Sequence, residues 1–404
     1  MQNKILTGVL VACVCAMLMA VAACSNEETG QESHASVESA LQAAVDRLAA
    51  ENNFPGIQAA IIMPDGTVIE AAAGLADREQ EISMTTNMRL LSGSIGKTYV
   101  AAAVMALVAE GKLALEEKVS TYVGDEDWYQ GFPNGDDVTL GQMLNHSSGV
   151  PRDYLVHPEF LAAVKRSVDE DINLVDMGLT HEDFVRWVSG LEPGFAPGEG
   201  FMYTDVAYTV AALVAEKVDG RSLEDQIRER FITPYKLTRT EAQTRRMTDF
   251  VSAYFPPPMH PGFPGVPEKS VTMGVFAFDP GMEWGGGGYA SNAGDLARWA
   301  HLWFGGEAVD GSYIETITGW GNEHVIPQLG DAYGVGVQIR YDSPFGERLY
   351  HGGYQLGFIA RAEHLPEHGM SSAIMINTVD IAYERYHDEI WNAVLTAIEI
   401  QTDE

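Results

Sequence analysis

The sequence predicts an α/β (α+β) fold, in which an antiparallel sheet is flanked by helices and an all-helical lobe is inserted into the chain. Two observations lead to this prediction. A helix and a hairpin lie near the start of the chain, and several strands and a final helix lie near its end, so both ends can join one antiparallel sheet. Between them, residues 124–200 are rich in turns and short helical patterns, which indicates a helical lobe.

The elements at the start of the chain follow from apolar spacing and turn residues. Apolar residues recur at helical intervals over Ala35 to Ala50, which predicts a first helix. The apolar runs Ile57 to Met63 and Thr67 to Ala73 are separated by Pro64-Asp65-Gly66 and predict a hairpin, because these three residues favour a turn. The alanine-rich stretch Thr98 to Glu110 predicts the next helix.

The second half of the chain predicts two helices, a loop, several strands and a closing helix. The helices are expected over Ala207 to Val218 and Leu223 to Ile232. Tyr254 to Gly288 contains three consecutive prolines and four consecutive glycines, which favour a loop. A final helix is expected over Asp380 to Ile400. The strands are predicted around Tyr333–Ile339, Arg348–His351, Gly357–Ala362 and Ser371–Ile376.

Composition and charge exclude several classes of protein. The chain has 404 residues, of which 46% are hydrophobic and 20% are charged, so it can bury a large core and is not a disordered protein. Its 25 basic and 57 acidic residues give a formal net charge of −32, which repels phosphate backbones, and we expect no nucleic-acid partner. All three cysteines lie within the first 24 residues, so disulfides, cysteine nucleophiles and cysteine–zinc sites are excluded from the rest of the chain.

The first residues resemble a bacterial lipoprotein signal peptide, predicted over residues 1–23. Lys4 gives a positive start, an almost unbroken apolar run follows, and small residues precede Cys24, which would receive the lipid. An uncleaved membrane anchor is the alternative, because the run is close to the ~20 residues that a spanning helix needs. Polar residues 24–36 predict a flexible tether, so we expect the domain of residues 37–402 on the periplasmic or cell-surface side of a bacterial membrane.

The first candidate for chemistry lies at the start of the alanine-rich helix. Ser94 and Lys97 are three residues apart, so their side chains share one face of that helix. A serine hydroxyl becomes a strong nucleophile when a base removes its proton, and a lysine can be that base if burial lowers its pKa. Gly96-Lys97-Thr98 also resembles part of a phosphate-binding loop, but that loop needs a glycine at position 91, which is Leu91, so nucleotide binding is disfavoured.

Two later segments could complete such a site. Tyr203 lies at a predicted junction between a loop and a helix, where a phenol could transfer a proton between the serine and a leaving group. His351 lies on a predicted strand and is followed by Gly352 and Gly353, which allow the backbone to approach a ligand closely.

Taken together, these segments resemble the three motifs of the penicillin-recognising serine hydrolases. This family includes class C β-lactamases, D-alanyl-D-alanine carboxypeptidases, D-aminopeptidases and family VIII esterases. Residues 144–151 and 287–299 are similar to two further segments of the family. The resemblance implies a β-lactamase/transpeptidase-like fold with the site between the sheet and the helical lobe. The motifs, in chain order, are Ser94-x-x-Lys97, Tyr203-x-Asp205 and His351-x-Gly353.

The resemblance also implies a role for each motif residue. Ser94 would be the acylated nucleophile and Lys97 its base or proton relay, while Tyr203 would protonate the leaving group and later activate water. The backbone N–H groups of Ser94 and Tyr354 would form the oxyanion hole. Gly353 and Tyr354 would also contact the substrate. Neither a metal nor a cofactor is implied.

Two substrate-binding positions depart from the family's pattern. His351 stands where class C β-lactamases more often have lysine, and because an unperturbed imidazole titrates near ~6.5, we expect a pH-dependent positive charge. Asp205 stands where the family usually has asparagine, and a carboxylate can only accept hydrogen bonds. Asp205 would either pair with Lys97 and leave Tyr203 as the main base, or select a substrate that carries a donor or a cation.

We therefore expect an extracytoplasmic serine hydrolase that cleaves an amide or ester bond through an acyl-enzyme on Ser94. A D-alanyl-D-alanine carboxypeptidase, D-aminopeptidase or esterase activity is favoured, on a small molecule or peptide such as a peptidoglycan stem peptide or an ester. The alternatives are a true β-lactamase and a catalytically inactive protein that binds cell-wall peptide.

Several histidines and tryptophans are interpreted as structural. His146 is expected in a structural turn. His364 and His368 flank a proline, which argues against a metal-binding helix face and favours a surface loop. The tryptophans expected in the core or in the wall of the cleft are Trp284, Trp299, Trp303 and Trp320.

Overall fold

One antiparallel sheet joins the two ends of the chain. The computed structural model describes residues 34–151, 157–255, 266–379 and 383–402. Within these residues the strands are β1 (Gly56–Ile62), β2 (Val68–Asp77), β3 (Ile82–Ser83), β4 (Leu90–Leu91), β5 (Glu241–Ala242), β6 (Val271–Thr272), β7 (Val275–Phe276), β8 (Tyr289–Ser291), β9 (Ala332–Tyr333), β10 (Gln338–Arg340), β11 (Arg348–Gln355), β12 (Phe358–Leu365) and β13 (Met370–Ile376). The main sheet has the order β3-β2-β1-β13-β12-β11-β10-β9. Because β1 pairs with β13, the predicted meeting of the two ends in one sheet is confirmed.

Helices cover this sheet and form the lobe beside it. They are α1 (34–52), α2 (Gly96–Ala109), α3 (Val119–Val123), α4 (Leu140–Leu144), α5 (Pro158–Glu170), α6 (His181–Arg186), α7 (Asp205–Asp219), α8 (Leu223–Ile227), α9 (Trp284–Gly287), α10 (Ala293–Phe304), α11 (Ile314–Gly319) and α12 (Tyr383–Thr402). A π-helical turn over Arg228–Ile232 continues α8, so the predicted helix over Leu223 to Ile232 is confirmed in two parts. No helix in the described part of the chain is long and apolar enough to cross a membrane.

Strand β1 shows why the sheet is buried on both faces. Ile57, Ala59 and Ile61 pack in a core cluster with residues of α1 and α12, whereas Ala60 and Ile62 pack in a second cluster with residues of α2 and α10. Successive side chains of a strand point to opposite faces, so each cluster receives every second residue. A strand that is covered on both faces has a continuous apolar run in its sequence, and this is the pattern that predicts the hairpin.

Helix α2 is the buried element that carries the first motif. Its residues are buried from Gly96 to Leu107, and it packs against α7, α8 and α9. A helix surrounded by protein has no need of a polar face, which explains its alanine- and valine-rich sequence. The structure thus brings the start of α2 close to the start of α7 and to α9.

Three local predictions were wrong. Gly285 to Gly288 was predicted as loop, but its first three residues belong to the buried helix α9. A Cβ on Gly287 would lie 2.7 Å from the Gly93 carbonyl oxygen, so glycine is what lets α9 pack against that backbone. The strand predicted over Tyr333–Ile339 is two strands, β9 and β10, joined by a tight turn in which Gly336 has a φ of +63°.

The third wrong prediction concerns His364. It lies on β12 and is buried, with Nδ1 2.8 Å from the Ser371 Oγ, rather than in a surface loop. β12 ends at the following residue because a proline begins the turn, and His368 lies exposed in that turn, as predicted. Trp299 and Trp303 are fully buried in the core, also as predicted.

The start of the chain lies mostly outside the described residues. This applies to the predicted signal peptide, to Cys24 and to the predicted tether as far as residue 33. Residues 34–36, the end of the predicted tether, are instead the first described residues of α1. There His34 Nε2 lies 3.2 Å from the Asp65 carboxylate at the hairpin turn, so the start of the helix contacts the turn between β1 and β2.

Candidate active site

Ser94 lies on a short turn that leads from β4 into α2. The turn, Gly93–Ile95, is a 3-10 helix, and Ser94 is partly exposed while its two neighbours are buried. Gly93 has a φ of +54°, and a Cβ on it would lie 2.6 Å from the backbone nitrogen of Tyr354, so this position requires glycine. The geometry presents the Ser94 hydroxyl at the surface while the backbone beneath it is tightly packed.

Lys97 is fully buried directly behind Ser94. Its Nζ lies 3.2 Å from the Ser94 Oγ, and it also donates hydrogen bonds to the Asp205 carboxylate and to the Gly286 carbonyl. An ammonium group has three donors, and these three acceptors use all of them. The buried charge is therefore fully satisfied.

The pairing with Asp205 decides the charge state of Lys97. Burial by itself disfavours the ammonium form, but the opposing charge of Asp205, with a contribution from Tyr203, raises the pKa of Lys97 above its ordinary value. Asp205 is the first residue of α7, where a carboxylate also interacts well with the helix dipole. Of the two interpretations of Asp205, the structure shows the pairing with Lys97.

Tyr203 lies two residues before α7 and faces the same pair. The Lys97 Nζ is 4.8 Å from the centre of its ring, and its phenol interacts with the side chains of Ser94 and Lys97. Burial raises the pKa of the Tyr203 phenol, and the Lys97 ammonium offsets this only in part. In the resting site the phenol therefore carries its proton.

His351 is buried on β11 and is held by two hydrogen bonds. Its Nδ1 lies 2.7 Å from the Gly352 carbonyl oxygen, to which it donates, and its Nε2 lies 2.6 Å from the Tyr333 hydroxyl, from which it accepts. Burial and the nearby Lys97 charge lower the pKa of His351 to about 3. The expectation of a pH-dependent positive charge at this position is therefore wrong, because the ring is neutral at all physiological pH values.

Gly353 and Tyr354 bring β11 against the nucleophile's turn. A Cβ on Gly353 would lie 1.9 Å from the Ser92 carbonyl oxygen, which no side chain can tolerate. The close approach places the backbone N–H of Tyr354 beside the Gly93–Ser94 backbone, where the oxyanion hole is predicted. The Tyr354 side chain is 47% exposed, so it is available to a substrate at the edge of the site.

Sequence reasoning missed three groups at this site. They are the Gly286 carbonyl that binds Lys97, the Tyr333 hydroxyl that binds His351, and Glu283. Burial and the negative charge of Asp205 raise the pKa of Glu283 to about 8, with Lys97 acting in the opposite direction. Only the run of four glycines signalled that a backbone might approach closely here, and nothing in the sequence marked Glu283.

No metal-binding cluster accompanies the site. In the ranges of the chain for which the structure gives side chains, no group of three or more histidine, aspartate or glutamate side chains is arranged to hold a metal ion.

Comparison with known proteins assigns this arrangement to a family. The beta-lactamase family model matches residues 41–395. The chain belongs to the beta-lactamase family. It is a serine hydrolase of that family, and the motifs whose geometry is described above lie within the matched residues.

Two relatives align with about half of this beta-lactamase family member. Penicillin-binding protein 4* of Bacillus subtilis (strain 168) is 32% identical over 196 residues, which cover 46% of this chain and 39% of the relative. Esterase EstB of Burkholderia gladioli is 29% identical over 191 residues, which cover 47% of each chain. The chain thus spans less than half the length of either relative.

A solved structure extends the likeness to almost the whole chain. The crystal structure of D-amino acid amidase from Ochrobactrum anthropi SV3 complexed with L-phenylalanine amide covers 91% of this chain and 99% of that one, with a TM-score of 0.73 and 20% identity. This similarity shows the fold, and the predicted β-lactamase/transpeptidase-like architecture is confirmed.

Proposed function

We propose that this serine hydrolase cleaves amides or esters whose leaving group carries no carboxylate, with D-amino-acid amides and small esters as the substrate class. The observation that supports this most directly is the neutral, doubly hydrogen-bonded His351 at the position where a cation would meet the leaving group.

The argument depends on what a carboxylate would need at this site. Penicillins and peptides that end in D-alanyl-D-alanine both carry a carboxylate next to the bond that is cleaved, and recognition of a carboxylate is strongest with charged donors. His351 carries no charge and has both ring nitrogens engaged. Lys97 has its three donors engaged with Ser94, Asp205 and Gly286. Neither residue is free to bind such a group, which makes carboxypeptidase and β-lactamase activities the second choice.

The geometry supports a two-step reaction through an acyl-enzyme. Lys97 acts as the base in its neutral form, after its ammonium has released a proton to solvent, and the amine takes the proton of Ser94, whose Oγ attacks the carbonyl carbon. Backbone N–H groups of Ser94 and Tyr354 stabilise the oxyanion. Tyr203 gives its proton to the leaving nitrogen or oxygen as the bond breaks.

The second step reverses these proton transfers. Water attacks the ester formed on Ser94 and gives a proton to the Tyr203 phenolate, which restores the phenol. Lys97 returns the proton that it took from Ser94 to the Ser94 oxygen as the acid product leaves. The sum of the two steps is hydrolysis of one amide or ester by one water.

The relatives support the same substrate class. One is named an esterase, and the fold is that of a D-amino acid amidase that has been crystallised with an amino-acid amide. The relative named as a penicillin-binding protein keeps the carboxypeptidase as the second candidate.

A substrate panel tests the proposal. The protein lacking residues 1–24 is assayed with D-phenylalanine amide, a p-nitrophenyl ester, a D-alanyl-D-alanine peptide and benzylpenicillin, beside Ser94→Ala. We expect turnover of the amide and of the p-nitrophenyl ester, and loss of both activities in Ser94→Ala. For the two substrates that carry a carboxylate we expect a kcat/KM at least about tenfold lower, which corresponds to the loss of one weak charged contact. Faster turnover of either carboxylate would contradict the proposal.

We also propose that the protein is exported and lipid-anchored through Cys24, with its hydrolase domain outside the cytoplasmic membrane. The support is the sequence of residues 1–24 alone. The test compares the wild-type chain with Cys24→Ala in a bacterial host that is fed a labelled fatty acid. We expect label and membrane association only in the wild type, and an unlabelled or soluble wild-type protein would contradict the anchor.

A further inference from the structure

His146 contacts the segment that carries Tyr203 at three points. It is fully buried in the turn after α4. Its carbonyl oxygen accepts the backbone N–H of Met202 at 2.9 Å, and its Nδ1 accepts the backbone N–H of Thr204 at 3.3 Å. Its ring centre lies 4.2 Å from that of Tyr203. One side chain and its own backbone thus bind the backbone N–H groups of both residues that flank Tyr203 and also contact its ring.

We propose that His146 is a positioning residue that holds the Tyr203 phenol toward Ser94 and Lys97. The inference rests on the proposed function, in which Tyr203 protonates the leaving group. Tyr203 needs such support because residues 201–204 belong to neither a helix nor a strand, so no regular hydrogen-bond ladder fixes them. Proton transfer requires the donor within about 3 Å of the leaving atom, and a displacement of about 1 Å can cost about a hundredfold in rate.

The backbone of His146 has an uncommon conformation that makes these contacts possible. Its φ of +60° lies in the left-handed region, which is uncommon for residues other than glycine, although histidine, like asparagine, adopts it more often than most. This left-handed turn brings the carbonyl and the ring of one residue to the same loop. Surrounding contacts hold this conformation in place, since the rings of Tyr208 and Tyr333 pack around His146 at centre distances of 5.2 Å and 4.7 Å.

The hydrogen bond from Thr204 also defines the state of the ring. A nitrogen that accepts a hydrogen bond carries no proton, so Nδ1 is unprotonated and the imidazole proton lies on Nε2. The ring acts on Tyr203 as a neutral acceptor and an apolar surface. It does not need to reach the substrate or the reacting atoms.

A comparison of leaving groups separates a positioning role from a purely structural one. A p-nitrophenolate leaves without a proton, whereas an alkoxide or an amide nitrogen must receive one as the bond breaks. In the acylation step, misplacement of Tyr203 therefore slows an alkyl ester and an amide much more than a p-nitrophenyl ester. General loss of folded protein lowers all three rates by the same factor.

Two variants keep the left-handed backbone and differ in the acceptor. His146→Gly removes the acceptor and the ring, and His146→Asn retains an acceptor near the position of Nδ1. For His146→Gly we expect kcat/KM, which reports acylation alone, to fall about a hundredfold for an alkyl ester or an amide and less than tenfold for the p-nitrophenyl ester. His146→Asn is expected to recover at least tenfold of the alkyl-ester rate.

The controls make failure of the inference distinguishable from failure of the proposed function. Tyr203→Phe should show the same leaving-group pattern, and His387→Asn, which alters another fully buried histidine on α12, should lower stability without changing the ratio of the two ester rates. Labelling of Ser94 by a fluorophosphonate and the melting temperature report the folded fraction in each variant.

Equal loss on all substrates in His146→Gly, or no loss, would overturn the positioning role while leaving Ser94 chemistry intact. Tyr203→Phe without a leaving-group effect would overturn the role of Tyr203, and with it the role of His146. Activity that persists in Ser94→Ala would overturn the proposed function itself.

Discussion

Replacing Asp205 with asparagine tests how the buried ion pair controls this site. Asp205→Asn keeps the shape of the side chain and removes the charge that holds Lys97 as an ammonium. Two unit charges ~4 Å apart interact by about 4 kcal/mol at an effective dielectric constant of ~20, and neighbouring charges move a pKa by about 1–3 units. The pKa of Lys97 should therefore fall in the variant, because burial, which disfavours the charge, is no longer opposed by the carboxylate.

The expected result is a gain of activity near neutral pH. Lys97 acts as a base only in its neutral form, and each unit by which its pKa falls raises the neutral fraction about tenfold. In Asp205→Asn, kcat/KM for an uncharged amide at pH 7 should rise about tenfold or more, and the acid limb of the pH profile should move to lower pH.

The assay is a profile of kcat/KM from pH 5 to pH 10 for the wild type and the variant. Glu216→Gln is the matched control, because it removes one carboxylate from the same helix, away from the site, and should leave the profile in place. A variant whose acid limb does not move would refute the claim that Lys97 sets this limb. A fall in activity at every pH would show instead that Asp205 must accept the proton during acylation.

Three further predictions follow from contacts and charges elsewhere. Gly353→Ala places a Cβ 1.9 Å from the Ser92 carbonyl oxygen, so β11 must move and we expect kcat/KM to fall about a hundredfold. Gly319→Ala is the control: its added Cβ would have no atom within 4 Å, so activity and melting temperature should not change. Burial lowers the pKa of His387 to about 3, whereas an unperturbed histidine titrates near ~6.5, so between these two pH values only the unfolded chain binds the proton. The free energy of unfolding is therefore highest above pH ~6.5 and decreases as the pH is lowered through this window. Urea unfolding at pH 7 and pH 5 should show about 2 kcal/mol less difference in His387→Asn than in the wild type, and an unchanged difference would refute this. Glu283 has a pKa of about 8 and is protonated at pH 7, so Glu283→Gln should have the same kcat/KM as the wild type at that pH. Above pH 8 the variant should have the higher kcat/KM, because the ionised wild-type carboxylate further stabilises the Lys97 ammonium. Identical pH profiles would contradict this prediction.

Much of the fold could be predicted because its signals are local. The period of the apolar residues and the turn residues between β1 and β2 placed α1, the hairpin and the last strands with small errors at their ends. The errors fell where tertiary packing outweighs local preference. The glycine run forms a buried helical turn because only glycine fits against the backbone at Gly93. His364 is buried because its strand, β12, lies between the strands β11 and β13.

The site divides in the same way. Motif spacing along the chain identified Ser94, Lys97, Tyr203 and His351 as candidates, because the residue types and their order are properties of the sequence. The charges of these groups depend on neighbours that are distant in the chain: Lys97 is held as an ammonium by Asp205, 108 residues away, and His351 is neutral because it is buried beside that ammonium.

The sequence by itself thus determined which side chains are available for acyl transfer, and it predicted the sheet that carries them. Only the tertiary structure decided which of them are charged, which hydrogen bonds are already used, and that His146 binds the backbone N–H groups of the two residues that flank Tyr203. The physical reason is that desolvation and Coulomb interaction depend on distances through space, which the order of residues along the chain does not contain.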